Sequence, residues 1–391
     1  MQSLPNNRIL SIDVFRGFTI LVMVFVNELA GIANIPDWMK HMPADADAMT
    51  FVDLVFPAFL FIVGMSIPFA VQARENKGDN PTAILKHGLI RAFGLIVIGF
   101  YMVNSIGGYD ESAMPISIAL WSLVMYFSVL ALWSSVPKHW SAAQILSLRS
   151  LGTIGLLAMA WVYEGPNESW MTPQWWGILG LIGWAYIASL LCYLLAGQRV
   201  VVLSAIGLSF IGLFALLERL HGQEGLIGVI VQENRNNTHI ALVLSGLIMS
   251  LICFSPRVKR RGAGIFLFVA ITGLLAYAAC LIWDVSKIWA TPSWALLSVF
   301  YCASLYAIVY WVVEVKHYKS WCALFEPAAN NPLLIYILPY ILLAAMGTFG
   351  WTIRPDVLSS GVAGILWSAV FAITMMALVA GLNKLGVRLK L

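Results

Sequence analysis

Charged side chains are scarce in this 391-residue chain, where Asp, Glu, Lys and Arg together make up 11%. Soluble globular proteins carry about 25%, so the chain lacks the means to clothe a water-facing surface of its size. No polar segment is long enough to fold as a soluble domain of its own. Cysteine is sparse as well. Cys192, Cys253, Cys280, Cys302 and Cys322 stand in or beside apolar runs without metal-like spacing, which leaves them as small packing residues. A glycine-rich phosphate loop, a nucleophile elbow and an HExxH are all missing, and with them the common signatures of nucleotide binding, serine hydrolysis and zinc proteolysis. There is no fixed-period repeat and no low-complexity tract. The first apolar segment lacks the charged start, short apolar middle and small-residue cleavage site of a secretory signal, so it reads as a retained helix.

What the chain has instead is apolar length. Hydrophobic residues make up 60% of it, with 16 Trp. Runs of about 20 residues, enough to cross a bilayer at 1.5 Å per residue, recur at about 8–30, 51–73, 88–106, 114–135, 149–164, 174–197, 200–218, 238–255, 263–283, 293–315, 331–349 and 361–383. The fifth is short and the seventh follows the sixth almost without a loop. The expectation is an all-α, polytopic integral membrane helix bundle of about 10–12 transmembrane helices.

Loop charge gives an orientation, because short cytoplasmic loops retain Lys and Arg. Arg8, Arg74, Lys77, Lys86, Arg91, Lys138, Arg149, Arg199, the Arg257–Arg261 cluster, Lys316, Lys319, Lys384, Arg388 and Lys390 fall on one side. Only Lys40, Arg219, Arg235, Lys287 and Arg354 fall on the other, among acids such as Asp37, Asp45 and Asp47. Both termini are therefore expected in the cytoplasm and His41 toward the outer face. The net charge of +4 comes from inner loops and gives no support for nucleic-acid binding. The Arg257–Arg261 cluster reads as a stop signal facing anionic lipid headgroups.

Chemistry is expected first around Thr50–Gly64, which places Asp53 at the mouth of an otherwise apolar helix, one loop after His41 and Asn27. A charge inside a membrane segment costs about 2.5–3.5 kcal/mol on insertion scales and usually survives because something uses it. His41 suits proton exchange near neutral pH, Asp53 suits fixing its tautomer, and Asn27 suits orienting a substrate or a developing oxyanion. The plainer reading is a solvated histidine, a helix cap and an interhelical amide. Pro57 and Pro68, like Pro332 and Pro339 later, free a backbone carbonyl four residues back, and bends there are expected to open a polar vestibule around Asp53.

A second cluster joins Asp13 and Arg16, three apart on the first helix, either as an interfacial ion pair or, with Lys86 and Arg91, as partners for the phosphates of a cytosolic cofactor. The stretch Glu326–Tyr336 reads as a helix entry with Asn330 as cap and Pro332 in the first turn. His87, His139 and His317 are expected to be solvated. His221 and His239 are expected to be external without ligand spacing, so no metal is assigned.

Several of these motifs together, Ser11–Gly17, Met23–Asn27, His41, Thr50–Gly64 with its Asp-Leu-Val-Phe-Pro core, and Asn331–Tyr336, give the chain a family likeness. It resembles the transmembrane acetyltransferase family of lysosomal heparan-alpha-glucosaminide N-acetyltransferase and its bacterial homologues, most clearly over residues 8–73. The resemblance implies one transmembrane domain over 1–391 that carries acetyl from cytosolic acetyl-CoA to an amino sugar or glycan amine outside, in a bacterial cytoplasmic membrane, as a homodimer. It places the central role on His41 and a supporting one on Asn27, with Asp53 beside them. Cofactor contacts are expected from Arg16, Asp13, Lys86, Arg91 and Asn331. The loop after His41 departs from the family pattern: Pro43, Ala44, Asp45, Ala46 and Asp47 stand where the lysosomal enzyme has Trp and Gly, which puts the acceptor in question. A large luminal domain is not expected. The competing classes are a secondary transporter of an amino sugar or related molecule, using Asp53 and His41 for substrate or protons, and a membrane scaffold or lipid-binding protein.

Overall fold

The computed structural model describes residues 4, 9–137, 139–220, 222, 225–389 and 391, and for 226 and 229 the backbone alone. Arg8, Lys138, His221 and Lys390, which entered the charge and histidine arguments, lie outside the described residues. The fold is all-helical, with isolated bridges and no strand among the described residues. Its α-helices are α1 (Leu10–Leu29), α2 (Phe51–Glu75), α3 (Pro81–Ile106), α4 (Ile118–Trp133), α5 (Ala142–Trp161), α6 (Gly177–Ala196), α7 (Val200–Glu218), α8 (Gly225–Gln232), α9 (Arg235–Phe254), α10 (Arg261–Cys280), α11 (Pro292–Tyr310), α12 (Glu326–Asn330), α13 (Pro332–Phe349) and α14 (Gly361–Lys384). Among the described residues, eleven spans are long and apolar enough to cross a membrane, counting α11 together with the turn that carries it to Val315; α4 is a shorter apolar helix.

Local chemistry moves several boundaries away from the hydropathy reading. Helix α5 begins near 142 rather than 149, because Ser141 and Gln144 form a reciprocal capping box ahead of the apolar run. The region read as one outer loop, about 219–237, contains α8. Asn330 does not cap the helix that Pro332 opens. It ends α12, and Asn331 takes the N-cap position of α13 without a side-chain cap bond. His239 is buried, since α9 starts at Arg235 and packs nearly all of its surface inward.

The chain forms two compact units. The first comprises Met1–Thr19, Pro36–Phe93 and Leu181–Ala323. Its centre is the crossing of α2 and α9, where Gly64 and Gly246 let the two backbones meet. A Cβ on either would overlap a carbonyl of the other helix, Val243 or Phe61, the close approach that small residues allow in membranes. Helices α7, α10 and α11 pack around that pair. The second unit comprises Ile20–Ile35, Gly94–Gly180 and Leu324–Leu391, and in it α4 packs on α5 and α13, and α14 on α12 and α13.

Helix α2 runs unbroken through Pro57 and Pro68. Pro57 removes the amide that would bond the carbonyl of Asp53, and an unpaired carbonyl in a membrane interior costs several kcal/mol. The indole N–H of Trp294, on α11, donates to that carbonyl at 3.3 Å and supplies the missing partner.

Candidate active site

Asp53 is 1% exposed at the start of α2, and every contact it makes comes from a donor. His41 Nδ1 lies 2.7 Å from Oδ1, while the backbone N–H groups of Met42 and Thr50 donate to Oδ2 at 3.2 and 3.1 Å. Thr50 caps the helix, its hydroxyl accepting from Val52 N–H and donating to the Lys40 carbonyl. Helix cap and histidine partner are thus one side chain, and both readings of Asp53 hold together.

Such an all-donor environment is that of a carboxylate ion, which accepts only. The proton between it and the ring therefore belongs on Nδ1, leaving the lone pair on Nε2. The His41 side chain is 47% exposed, so a ligand can reach the imidazole. A base held in one tautomer by a buried carboxylate is the arrangement that proton abstraction from a nucleophile requires.

A third member was missed by the sequence reading. Lys287 sits in the loop between α10 and α11, its Nζ 3.1 Å from His41 Nδ1, 3.5 Å from Nε2 and 3.7 Å from Asp53 Oδ1. Burial pulls its ammonium below the ordinary lysine range, and the Asp53 charge pulls the other way. The loop is fastened to the segment that carries His41: Val285 N–H donates to Asp47 at 2.7 Å, Ala48 N–H to the Val285 carbonyl, and the Ser286 hydroxyl to the Ala44 carbonyl. Ala44 and Asp47 thus hold Lys287 in place. One signal existed in the sequence, since Lys287 is among the few basic residues that loop charge assigns to the side richer in acids.

The other expected residues lie in separate settings. Arg16 donates to Asp13 at 3.0 Å and to the Ser66 hydroxyl at 2.7 Å, tying α1 to α2. Ser66 follows Asp53 by thirteen positions on the same helix, roughly 20 Å along its axis, so the two clusters mark different depths of the first unit. Nearby in the first unit, Ser11 meets Tyr306 at 3.0 Å and Glu314, which lies in a π-helical turn at Trp311–Val315. Lys86 and Arg91 are exposed on α3, with the Arg91 guanidinium 5.4 Å from the Tyr186 ring centre. Asn27, in the second unit, is exposed and donates to the Tyr340 hydroxyl at 3.5 Å. Asn331 is fully buried there and spends its amide on the chain itself, donating to Asn383 and the Val387 carbonyl and accepting from Leu389 N–H. Among the described residues no group of three or more His, Cys, Asp or Glu is placed to hold a metal ion.

Comparison with known proteins adds a family. The model of a domain of unknown function, DUF5009, matches residues 8–224, more than half of the chain and all of the His41–Asp53 region. The chain belongs to the DUF5009 family. This family member is also 34% identical over 193 residues to human heparan-alpha-glucosaminide N-acetyltransferase, covering 47% of the chain and 26% of the human protein. With the mouse protein of the same name the identity is 32% over 185 residues, or 45% and 25%. The chain thus spans about a quarter of the length of the curated relatives it matches.

Proposed function

We propose that this protein is a multi-pass membrane acyltransferase that moves an acetyl group from cytosolic acetyl-CoA to the amine of an amino sugar or glycan on the other side of the membrane. The relatives' names and the motif resemblance at residues 8–73 support the reaction class. The observation that carries it to particular atoms is the 2.7 Å contact between His41 Nδ1 and buried Asp53, which leaves the Nε2 lone pair on a partly exposed side chain. In this reading neutral His41 takes a proton from the attacking amine, or first accepts the acetyl group itself, and Asp53 steadies the imidazolium or acyl-imidazolium that results. Asn27 orients a substrate, a role supported by the resemblance alone. Arg16 with Asp13, and exposed Lys86 and Arg91, take the nucleotide end of acetyl-CoA; a cofactor role for Asn331 is supported by the resemblance alone. Both termini lie in the cytoplasm of a bacterial cell, and the active form is a homodimer.

The test uses purified protein, labelled acetyl-CoA and a panel of amino sugars, comparing the intact chain with His41→Ala. The variant is expected to keep its helical circular dichroism and lose about a hundredfold to ten-thousandfold in turnover, the usual worth of a positioned base. Near-normal turnover by His41→Ala would remove the reading and leave a carrier as the better account.

A further inference from the structure

We infer that the Lys287 ammonium is the group that receives the negative charge developing on the acyl carbonyl oxygen, an assignment that rests on the acyl transfer proposed above. The plainer role for Lys287 is to balance the charge of buried Asp53. The geometry asks for more than that. Asp53 already has three N–H donors on its oxygens, and Lys287 stands 3.7 Å away, an ion-pair distance longer than a hydrogen bond. In the plane of the imidazole, the direction out from Nδ1 is taken by Asp53. An atom at 3.1 Å from Nδ1 and 3.5 Å from Nε2 therefore stands over the ring rather than in line with either nitrogen.

An ammonium carries three donors, and with Nδ1 protonated the ring offers none of them a lone pair at Nδ1. Of its three N–H groups, one can turn toward Asp53 Oδ1 at 3.7 Å and one toward the ring, which leaves the third for a ligand beside Nε2. A reacting acyl carbon stands about 3–3.5 Å from the group that handles it. With that carbon next to Nε2, its oxygen falls within reach of Nζ. The loop is held to this position against strain: Ala290 has a left-handed φ of 50°, uncommon for a residue with a Cβ, three positions after Lys287.

The amine nitrogen attacks the thioester carbon, a C–N bond forms, and the carbonyl electron pair moves onto oxygen, where Lys287 N–H groups meet it. His41 Nε2 takes the proton that the amine nitrogen loses. As the oxyanion returns its electrons, the C–S bond breaks and the departing CoA thiolate receives that proton. If His41 attacks first, the same oxyanion forms twice, so the assignment is independent of the route.

Lys287→Met and Lys287→Arg are compared with wild type and His41→Ala in the full chain, using acetyl-CoA and the amino sugar that wild type acetylates best. The expected loss for Lys287→Met is about a hundredfold to thousandfold in kcat, the worth of one oxyanion donor, with KM for both substrates nearly unchanged. Lys287→Arg is expected to keep a measurable part of kcat and to extend activity to higher pH. Burial lowers the lysine pKa, so the wild type loses its charge as pH rises through that value, whereas a guanidinium stays charged. Near-wild-type kcat in Lys287→Met, with His41→Ala inactive, would overturn the assignment while sparing the acyl-transfer reading. Should Lys287→Met fail to fold, an alkaline limb left unmoved in Lys287→Arg overturns it equally. Absence of transfer by the wild type itself would remove both.

Discussion

Asp53 caps α2 through the Thr50 N–H, fixes the His41 ring through Nδ1 and faces the Lys287 ammonium, all with two oxygens. Replacing it with Asn keeps the shape, exchanges one acceptor for a donor, and leaves either the ring N–H or a capping N–H without a partner. Asp53→Asn is therefore expected to lower turnover by at least about a hundredfold and to cost about 1 kcal/mol of stability, the usual worth of a cap; steady-state kinetics and thermal unfolding read the two effects separately. His41 and Asp53 were legible in the sequence because a carboxylate in an apolar run stands out and the histidine is only twelve residues away. Lys287 was not, since 246 positions separate it from His41 and only the folded loop closes that gap. Asn331 shows the opposite case, a residue whose polarity drew notice and whose hydrogen bonds turn out to be used within the chain.

Helices impose their own requirements, and α2 shows how one side chain elsewhere can meet them. Pro57 must leave the Asp53 carbonyl without an amide donor, a consequence readable from sequence alone; that Trp294 provides the replacement is a tertiary fact. Trp294→Phe keeps the aromatic bulk against His239 but removes the N–H. It is expected to cost about 1–3 kcal/mol, the penalty for an unsatisfied buried acceptor, and to lower kcat as well, because that carbonyl belongs to the residue that orients His41. A lower thermal midpoint together with reduced turnover is the predicted result; unchanged kcat would show that the bond serves the helix alone. Hydropathy located every span but erred at ends such as that of α5, because the Ser141–Gln144 cap begins the helix before the apolar run rather than at its edge.

Across the whole molecule, the chain divides into two compact units whose segments alternate along the sequence, a division that hydropathy does not reveal. Acetyl-CoA is expected to raise the thermal midpoint of the purified protein, since a ligand bound only by the folded state adds about 2.7 kcal/mol at a hundred times its Kd. No shift at saturating acetyl-CoA would favour the carrier reading. By itself the sequence determined the class: so little charge and so many apolar runs leave membrane helices as the structure that satisfies the backbone. It also marked Asp53 and His41, because a costly carboxylate needs a partner and the nearest was a short loop away. Only the tertiary structure decided that Lys287 joins them, that Trp294 completes the Asp53 turn, and that Gly64 and Gly246 bring α2 and α9 together. These depend on contacts between residues far apart in the chain, and a periodic pattern records which face a residue occupies without recording what stands opposite it.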